Sequence, residues 1–182
     1  MMKAKNHISY RGITDEDKPF LYKLYASTRD DVEQFAQSWS DDQKTAFLQM
    51  QFEAQDAHYK KYHGETSFQI IRHRKKDVGR LYLEERQNTF CIIDITLEPN
   101  FRGRGIGGAI MNDIIEMAHN KDKKVTIHVA RNNQARHLYD RLGFTVVEEG
   151  DVYNLMEKVP EKKNPALAQK DEKIKNQSIY NN

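Results

Sequence analysis

The sequence predicts an α/β chain of the α+β type, with a mixed central sheet of about seven strands flanked by about four helices. Three observations carry that expectation. Apolar residues recur at helical spacing up to His63, alternate with a period of two from Thr66 to Leu97, and then follow a helix, strand, helix, hairpin succession. The 182 residues, 38% hydrophobic and 10% aromatic, suit one domain with a real core. Between the two halves, the stretch Ile92–Met117 passes from a β-branched run through a proline and a basic, glycine-dense turn. It continues with Ile106, Ile110, Ile114 and Met117 at helical spacing, so it reads as strand, loop, helix.

The remaining elements follow in chain order. His7–Ile13 alternates loosely and reads as the first strand. Thr14 caps a helix with acids in its first turn, and Phe20, Leu21, Leu24 and Tyr25 keep its period, so it runs from about Asp15 to Ser27. Thr28–Trp39 carries no assignable period. Ser40-Asp41-Asp42 is a second cap signal, and Phe47, Leu48, Phe52, Tyr59 and Tyr62 form a stripe along a long helix ending near His63, with Gly64 as its C-cap. Ser67–His73 and Val78–Glu85 read as strands joined by the charged turn Arg74–Asp77, and Gln87-Asn88 turns into Thr89–Leu97. Lys123–Ala130 is apolar on both faces, as in the middle of a covered sheet. A further helix ends at Gly143, and Thr145–Glu149 with Val152–Lys158 makes a terminal hairpin. Residues 1–159 are expected to form the domain; 160–182, polar and lysine-rich, reads as a flexible C-terminal tail, or as a helical appendage.

Composition excludes several classes. The net charge is +2, and residues 157–182 alone carry six lysines against four acids, so residues 1–156 balance to zero. A body without a basic stripe argues against direct nucleic-acid binding. No apolar run approaches a membrane span and the start has no signal-peptide pattern, so a cytoplasmic location is expected. Cys91 is the single cysteine, which rules out an internal disulfide. The seven histidines show no close ligand pair, so no metal site is expected.

The chemistry concentrates in Arg102-Gly103-Arg104-Gly105-Ile106-Gly107-Gly108. Glycines let a backbone approach a ligand closely, the following helix presents unpaired N–H donors, and the two arginines add charge, so the turn suits a phosphate or pyrophosphate. A phosphate-cradling NTPase loop requires Gly-Lys-Ser/Thr after four residues, and none is present. Gly103, Gly105 and Gly108 fit the dinucleotide fingerprint formally, but the next strand, VTIHVAR, ends without the ribose-binding acid. Arg102, Gly105 and Gly107 meet the third pattern, Arg/Gln-x-x-Gly-x-Gly/Ala after a strand and a proline. Downstream, Asn132-Asn133-Gln134-Ala135-Arg136-His137-Leu138-Tyr139-Asp140-Arg141-Leu142-Gly143-Phe144 meets N-x-x-A-x-x-L-Y-x-x-L-G-F. In this order the two resemble motifs A and B of the GNAT superfamily of acetyl-CoA-dependent acyltransferases, and the element order matches that fold. The resemblance covers about Val78 to Val159.

The resemblance implies a set of site residues and an N-acetyltransferase moving acetyl from acetyl-CoA to a primary amine. Main chain near Ile95 and Leu97 would bond the pantetheine arm between splayed strands. Arg102, Gly103, Arg104, Gly105, Ile106, Gly107 and Gly108 would hold the pyrophosphate. Tyr139 would protonate the departing thiolate, or else pack helix on sheet. Asn132 would bond the cofactor or a water, or cap the helix. The position aligned with the glutamate that some members use as base holds Cys91. Asp94, the only ionisable residue in CIIDITL, and Glu84 and Glu85 at the end of the neighbouring strand are the carboxylate candidates, beside solvent-mediated deprotonation without a dedicated base. Core packing explains most early aromatics, while Trp39 is a candidate to face the substrate. A homodimer through the terminal hairpin is also implied, and the acceptor is not readable. Rival readings are a non-catalytic CoA-binding sensor or scaffold and a nucleotide-binding dehydrogenase fragment.

Overall fold

The computed structural model describes residues 7–63 and 68–160. In order they form β1 (Ile8–Gly12), α1 (Lys18–Ala26), α2 (Asp30–Phe35), α3 (Asp41–His63), β2 (Phe68–His73), β3 (Lys76–Glu85), β4 (Thr89–Leu97), α4 (Ile106–Asn120), β5 (Lys124–Ala130), α5 (Arg136–Arg141), β6 (Thr145–Glu149) and β7 (Tyr153–Lys158). One seven-stranded sheet runs β1-β2-β3-β4-β5-β7-β6. All neighbours are antiparallel except β4 and β5. The expected mixed sheet of the α/β class is thus present. The proposed Gly64 cap, Ser67 and residues 161–182 of the tail lie outside the described residues.

Alternation along β2 divides the core between the two faces. Ile71 joins the larger cluster, where Leu81, Ile92, Ile110, Met111 and Ile114 pack beneath α4. Ile70, its neighbour, points the other way into a cluster with Leu21, Leu24, Tyr25 and Phe52 beneath α1 and α3. Burial of such side chains, at about 25 cal/mol per Å² of apolar area, is the main force holding the layers together.

The structure corrects the expected elements at four places. Thr28–Trp39 contains α2, a helix of six residues whose buried Val32 precedes a buried Ala36 by one turn; it is too short for a period to show. Five α-helices therefore stand among the described residues where about four were expected. The first helix is preceded by a separate 3₁₀ turn at Asp15–Asp17, with Pro19 in the opening turn of α1. The β2–β3 turn is shorter than expected, because Arg74 and Lys75 take φ of 51° and 67° and close the hairpin in two residues. Such a turn normally carries Asn-Gly, and two basic residues give no signal of it. The fourth difference, at the start of α5, bears on the site.

Candidate active site

The site begins where the sheet opens. β4 pairs with β5 only over Thr89–Ile92 against Lys124–Ile127, although β4 continues to Leu97 and β5 to Ala130. At the point of separation the β3–β4 register shifts, Tyr82 facing Asp94 but Leu83 facing Ile92, which leaves Ile93 as an extra residue on β4. A bulge of this kind bends its strand and increases its twist. Burial follows the divergence: Phe90, Cys91 and Ile92 are buried, whereas Ile93 to Leu97 are half-buried. Ile95 and Leu97 lie on this segment, whose β5-side backbone groups have no strand partner there. An unpaired strand edge accepts an extended chain as an added strand.

The glycine loop sits at the same end. After a 3₁₀ turn at Pro99–Phe101, Gly103 and Gly105 take φ of 70° and 78°, and no atom lies within 4 Å of where a Cβ would stand on either. Gly105 caps α4 with no side-chain hydrogen bond, and the first turn of α4 contains no acid. The first N–H groups of the helix, at the positive end of its dipole, thus have no side-chain cap. Ile106, 6% exposed, anchors the start of the helix in the core. A Cβ on Gly107 would meet Leu138 Cδ2 at 3.8 Å and Leu97 Cδ1 at 3.9 Å, and one on Gly108 would meet Leu138 Cδ1 at 3.7 Å. Loop, strand end and α5 therefore converge on one mouth.

The two arginines differ. Arg104 is exposed, its guanidinium 5.7 Å from the Phe101 ring centroid, and it has no ion pair among the described residues. Arg102, expected to face phosphate oxygens, instead donates from Nε to the Leu97 carbonyl at 2.9 Å. From Nη2 it donates to Ser27 Oγ at 2.8 Å and to the Ser27 carbonyl at 3.2 Å. In this conformation it clips the loop to the end of α1 and occupies the Leu97 carbonyl.

Around the opening stand the candidate catalytic groups. Tyr139 is 5% exposed on α5 and packs 5.9 Å from Phe144. Burial, and secondarily the charge of Asp94, pushes its hydroxyl up to about 12. Asp94 accepts from Arg80 Nη2 at 2.7 Å, Thr96 Oγ1 at 2.8 Å and Tyr59 at 3.4 Å. Glu84 lies apart from Asp94, in a cluster with His63 Nδ1 at 3.0 Å and Arg86 Nη2 at 2.9 Å. Arg86 foremost holds its carboxyl below the ordinary range. Asn132 is exposed and does not cap α5, whose N-cap is Ala135. Instead the Asn133 side chain accepts from the Ala135 N–H at 2.9 Å, closing a turn, so α5 starts later than its sequence pattern implied. Trp39 packs edge-on against Phe47 and Phe35. Sequence reading missed Arg80 and Ser27. The available signal was an arginine inside the apolar run VGRLYL of β3, but only the strand register places it by Thr96 and Asp94.

No helix among the described residues is long and apolar enough to cross a membrane. Among these residues no three His, Cys, Asp or Glu side chains gather as a metal site.

A parallel strand pair split at one end, a glycine loop and a helix start without a side-chain cap at the split, and a buried tyrosine on α5 together suit an acyltransferase. The chain belongs to the acetyltransferase (GNAT) domain family, whose model matches residues 35–163. No curated protein matches it significantly. Among solved structures, PaiA N-acetyltransferase from Thermoplasma acidophilum in complex with coenzyme A is similar at TM-score 0.61 and 16% identity, covering 84% of this chain and 98% of that one. PH1933 from Pyrococcus horikoshii OT3 aligns at TM-score 0.63 and 16% identity over 85% and 99%. Arabidopsis thaliana Naa50, bound to the bisubstrate analogue CoA-Ac-MVNAL, aligns at TM-score 0.54 and 17% identity over 84% and 98%. At these identities the likeness establishes the fold.

Proposed function

We propose that the protein transfers acetyl from acetyl-CoA to a primary amine of a small molecule or polypeptide by direct attack in a ternary complex. One observation carries the reading: β4 leaves β5 beyond Ile92, and the Leu97 side chain at the end of that segment lies 3.9 Å from where a Cβ on Gly107 would stand, so the opening adjoins the start of α4. The residues present fit the donor. The edge from Ile93 to Leu97, which has no strand partner on its β5 side, offers main-chain bonds for an extended arm once Arg102 releases the Leu97 carbonyl. Gly103, Gly105, Gly107 and Gly108, with Arg104, offer N–H groups and charge for a pyrophosphate. Acetyl-CoA supplies a thioester whose carbonyl is open to an amine and whose sulfur leaves as a thiolate.

The amine nitrogen forms its bond to the acetyl carbon as the carbon–sulfur bond breaks, and two protons must be placed. Tyr139 gives its hydroxyl proton to the thiolate and is reprotonated from solvent. The proton shed by the amine passes through water to Asp94, with Glu84 as the more distant alternative. Burial keeps Tyr139 protonated at working pH and also makes it a weaker acid than a free phenol. Part of that shift comes from the Asp94 charge, so a proton arriving on Asp94 removes it and makes Tyr139 a better donor.

Calorimetry with acetyl-CoA, on the wild type and on Gly105→Asp, tests donor binding, with NAD as the rival ligand. Wild-type binding lost in Gly105→Asp supports the loop as the anion site; binding of NAD alone would overturn the proposal. Thiol release with a panel of amines tests the chemistry. Tyr139→Phe should cost about 10²–10⁴-fold in kcat with donor affinity kept, the usual size of a lost proton donor. A protein that binds acetyl-CoA and releases thiol with no amine or peptide would be the non-catalytic module instead.

A further inference from the structure

The ion pair between Arg80 and Asp94 is largely buried, with side chains 4% and 13% exposed, and it lies beside the opening. Asp94 sits one residue beyond the Ile93 bulge, on the β4 segment that has left β5. Three elements hold its carboxylate: Arg80 from β3 and Tyr59 from α3 on Oδ2, and Thr96 from β4 on Oδ1. Arg80 also donates to Gln55 of α3 at 3.1 Å and lies over the Tyr82 ring, 5.1 Å from its centroid. Tyr82 in turn meets Tyr59 edge-on at 5.4 Å. These contacts leave the carboxylate little rotational freedom.

Cohesion alone does not account for the arrangement. Arg80 Nε is buried without a hydrogen-bond partner, an expense that native interiors rarely carry. A buried ion pair seldom stabilises a fold more than apolar side chains of the same volume. The pair is costly, incompletely satisfied and located where β4 leaves β5. Its evident product is geometric: one carboxylate fixed at the opening, with its charge felt by Tyr139 across the gap.

We propose that Arg80 is a positioning residue for acetyl transfer, fixing the Asp94 carboxylate at the β4–β5 opening so that it receives the acceptor amine opposite Tyr139. Arg80 itself touches neither substrate; it acts through Asp94. The inference rests on the function proposed above and deepens it, because it makes a buried arginine part of the acceptor side of the site.

Steady-state kinetics on Arg80→Gln, Asp94→Asn and the double variant test it. Arg80→Gln retains a hydrogen-bonding side chain while losing the charge. The expected result is a fall of tenfold or more in kcat for each single variant, unchanged acetyl-CoA affinity by calorimetry, and no further loss when Arg80→Gln is added to Asp94→Asn. Arg80→Lys, which keeps the charge, should recover most of the loss and also serves should Arg80→Gln fail to fold. Multiplicative losses in the double variant would overturn the proposal, since Arg80 would then act independently of Asp94. So would full activity in Arg80→Gln or in Asp94→Asn, or an Arg80→Lys variant that folds but is no better than Arg80→Gln. A wild-type protein that fails to bind acetyl-CoA marks failure of the underlying function and is read separately from these comparisons.

Discussion

Replacing Gly107 with alanine separates the needs of the fold from those of the site. Gly107 lies in helical backbone in the first turn of α4, with no positive φ. An added Cβ would meet only Leu138 Cδ2 at 3.8 Å and Leu97 Cδ1 at 3.9 Å, both ordinary contacts. The fold should therefore gain the usual advantage of alanine over glycine in a helix, about 0.5–1 kcal/mol, at the lower end this close to the terminus. For a domain of this size that is a rise of roughly 1–4 °C in melting temperature. The same methyl stands between Leu97 and Leu138, in the mouth where the donor is proposed to enter. The pattern Arg/Gln-x-x-Gly-x-Gly/Ala admits alanine at this position, so acetyl-CoA affinity should stay within about threefold of the wild type, less than about 0.7 kcal/mol. Thermal unfolding and calorimetry on one preparation read both numbers. Gly105→Ala supplies the opposite sign: its φ of 78° in open space costs strain without a clash, so the melting temperature should drop by the equivalent of about 1–2 kcal/mol. A Gly107→Ala protein that is less stable, or that loses tenfold or more in acetyl-CoA affinity, would refute the reasoning.

Two further predictions concern the frame around the site. Asp17, 8% exposed, is held by both guanidinium nitrogens of Arg11 at 2.7 Å and accepts from the Thr14 N–H at 2.8 Å. The Arg11 hydrogen bonds foremost hold its carboxyl at about 2. A folded-state value below the unfolded one means the stabilisation is complete above the ordinary carboxylate range near 4 and disappears as pH falls toward 2. Asp17→Asn should thus cost about 1–3 kcal/mol at neutral pH, with urea-unfolding curves that converge with the wild type in acid; a gap constant from pH 7 to 2 would contradict this. Gly79 on β3 has no room for a side chain, since a Cβ would press on the Thr96 carbonyl oxygen and approach Leu97 Cα at 3.2 Å. Gly79→Ala should lower the guanidinium midpoint by the equivalent of about 1–3 kcal/mol or more, and an unchanged midpoint would show that β3 and β4 can separate freely there.

The amino-acid sequence by itself determined the element order, the position of the glycine loop between a strand and a helix, and the membership of both motifs in one family pattern. These are local properties: apolar period, glycine spacing and cap residues act within a turn or two of chain. Elements shorter than their own period escaped it, as α2 did, and so did the Arg74-Lys75 turn, whose residues are unusual for its backbone. The tertiary structure alone decided how far β4 and β5 stay paired, and hence where the site opens, because the Ile93 bulge and the end of pairing at Ile92 depend on strand register. It also decided that Arg102 reaches Ser27, 75 residues away, and that Arg80 faces Asp94 rather than solvent. A charged side chain in an apolar run takes its meaning from the partner that compensates its burial. That partner is supplied by chain packing across the sheet, which no local pattern encodes.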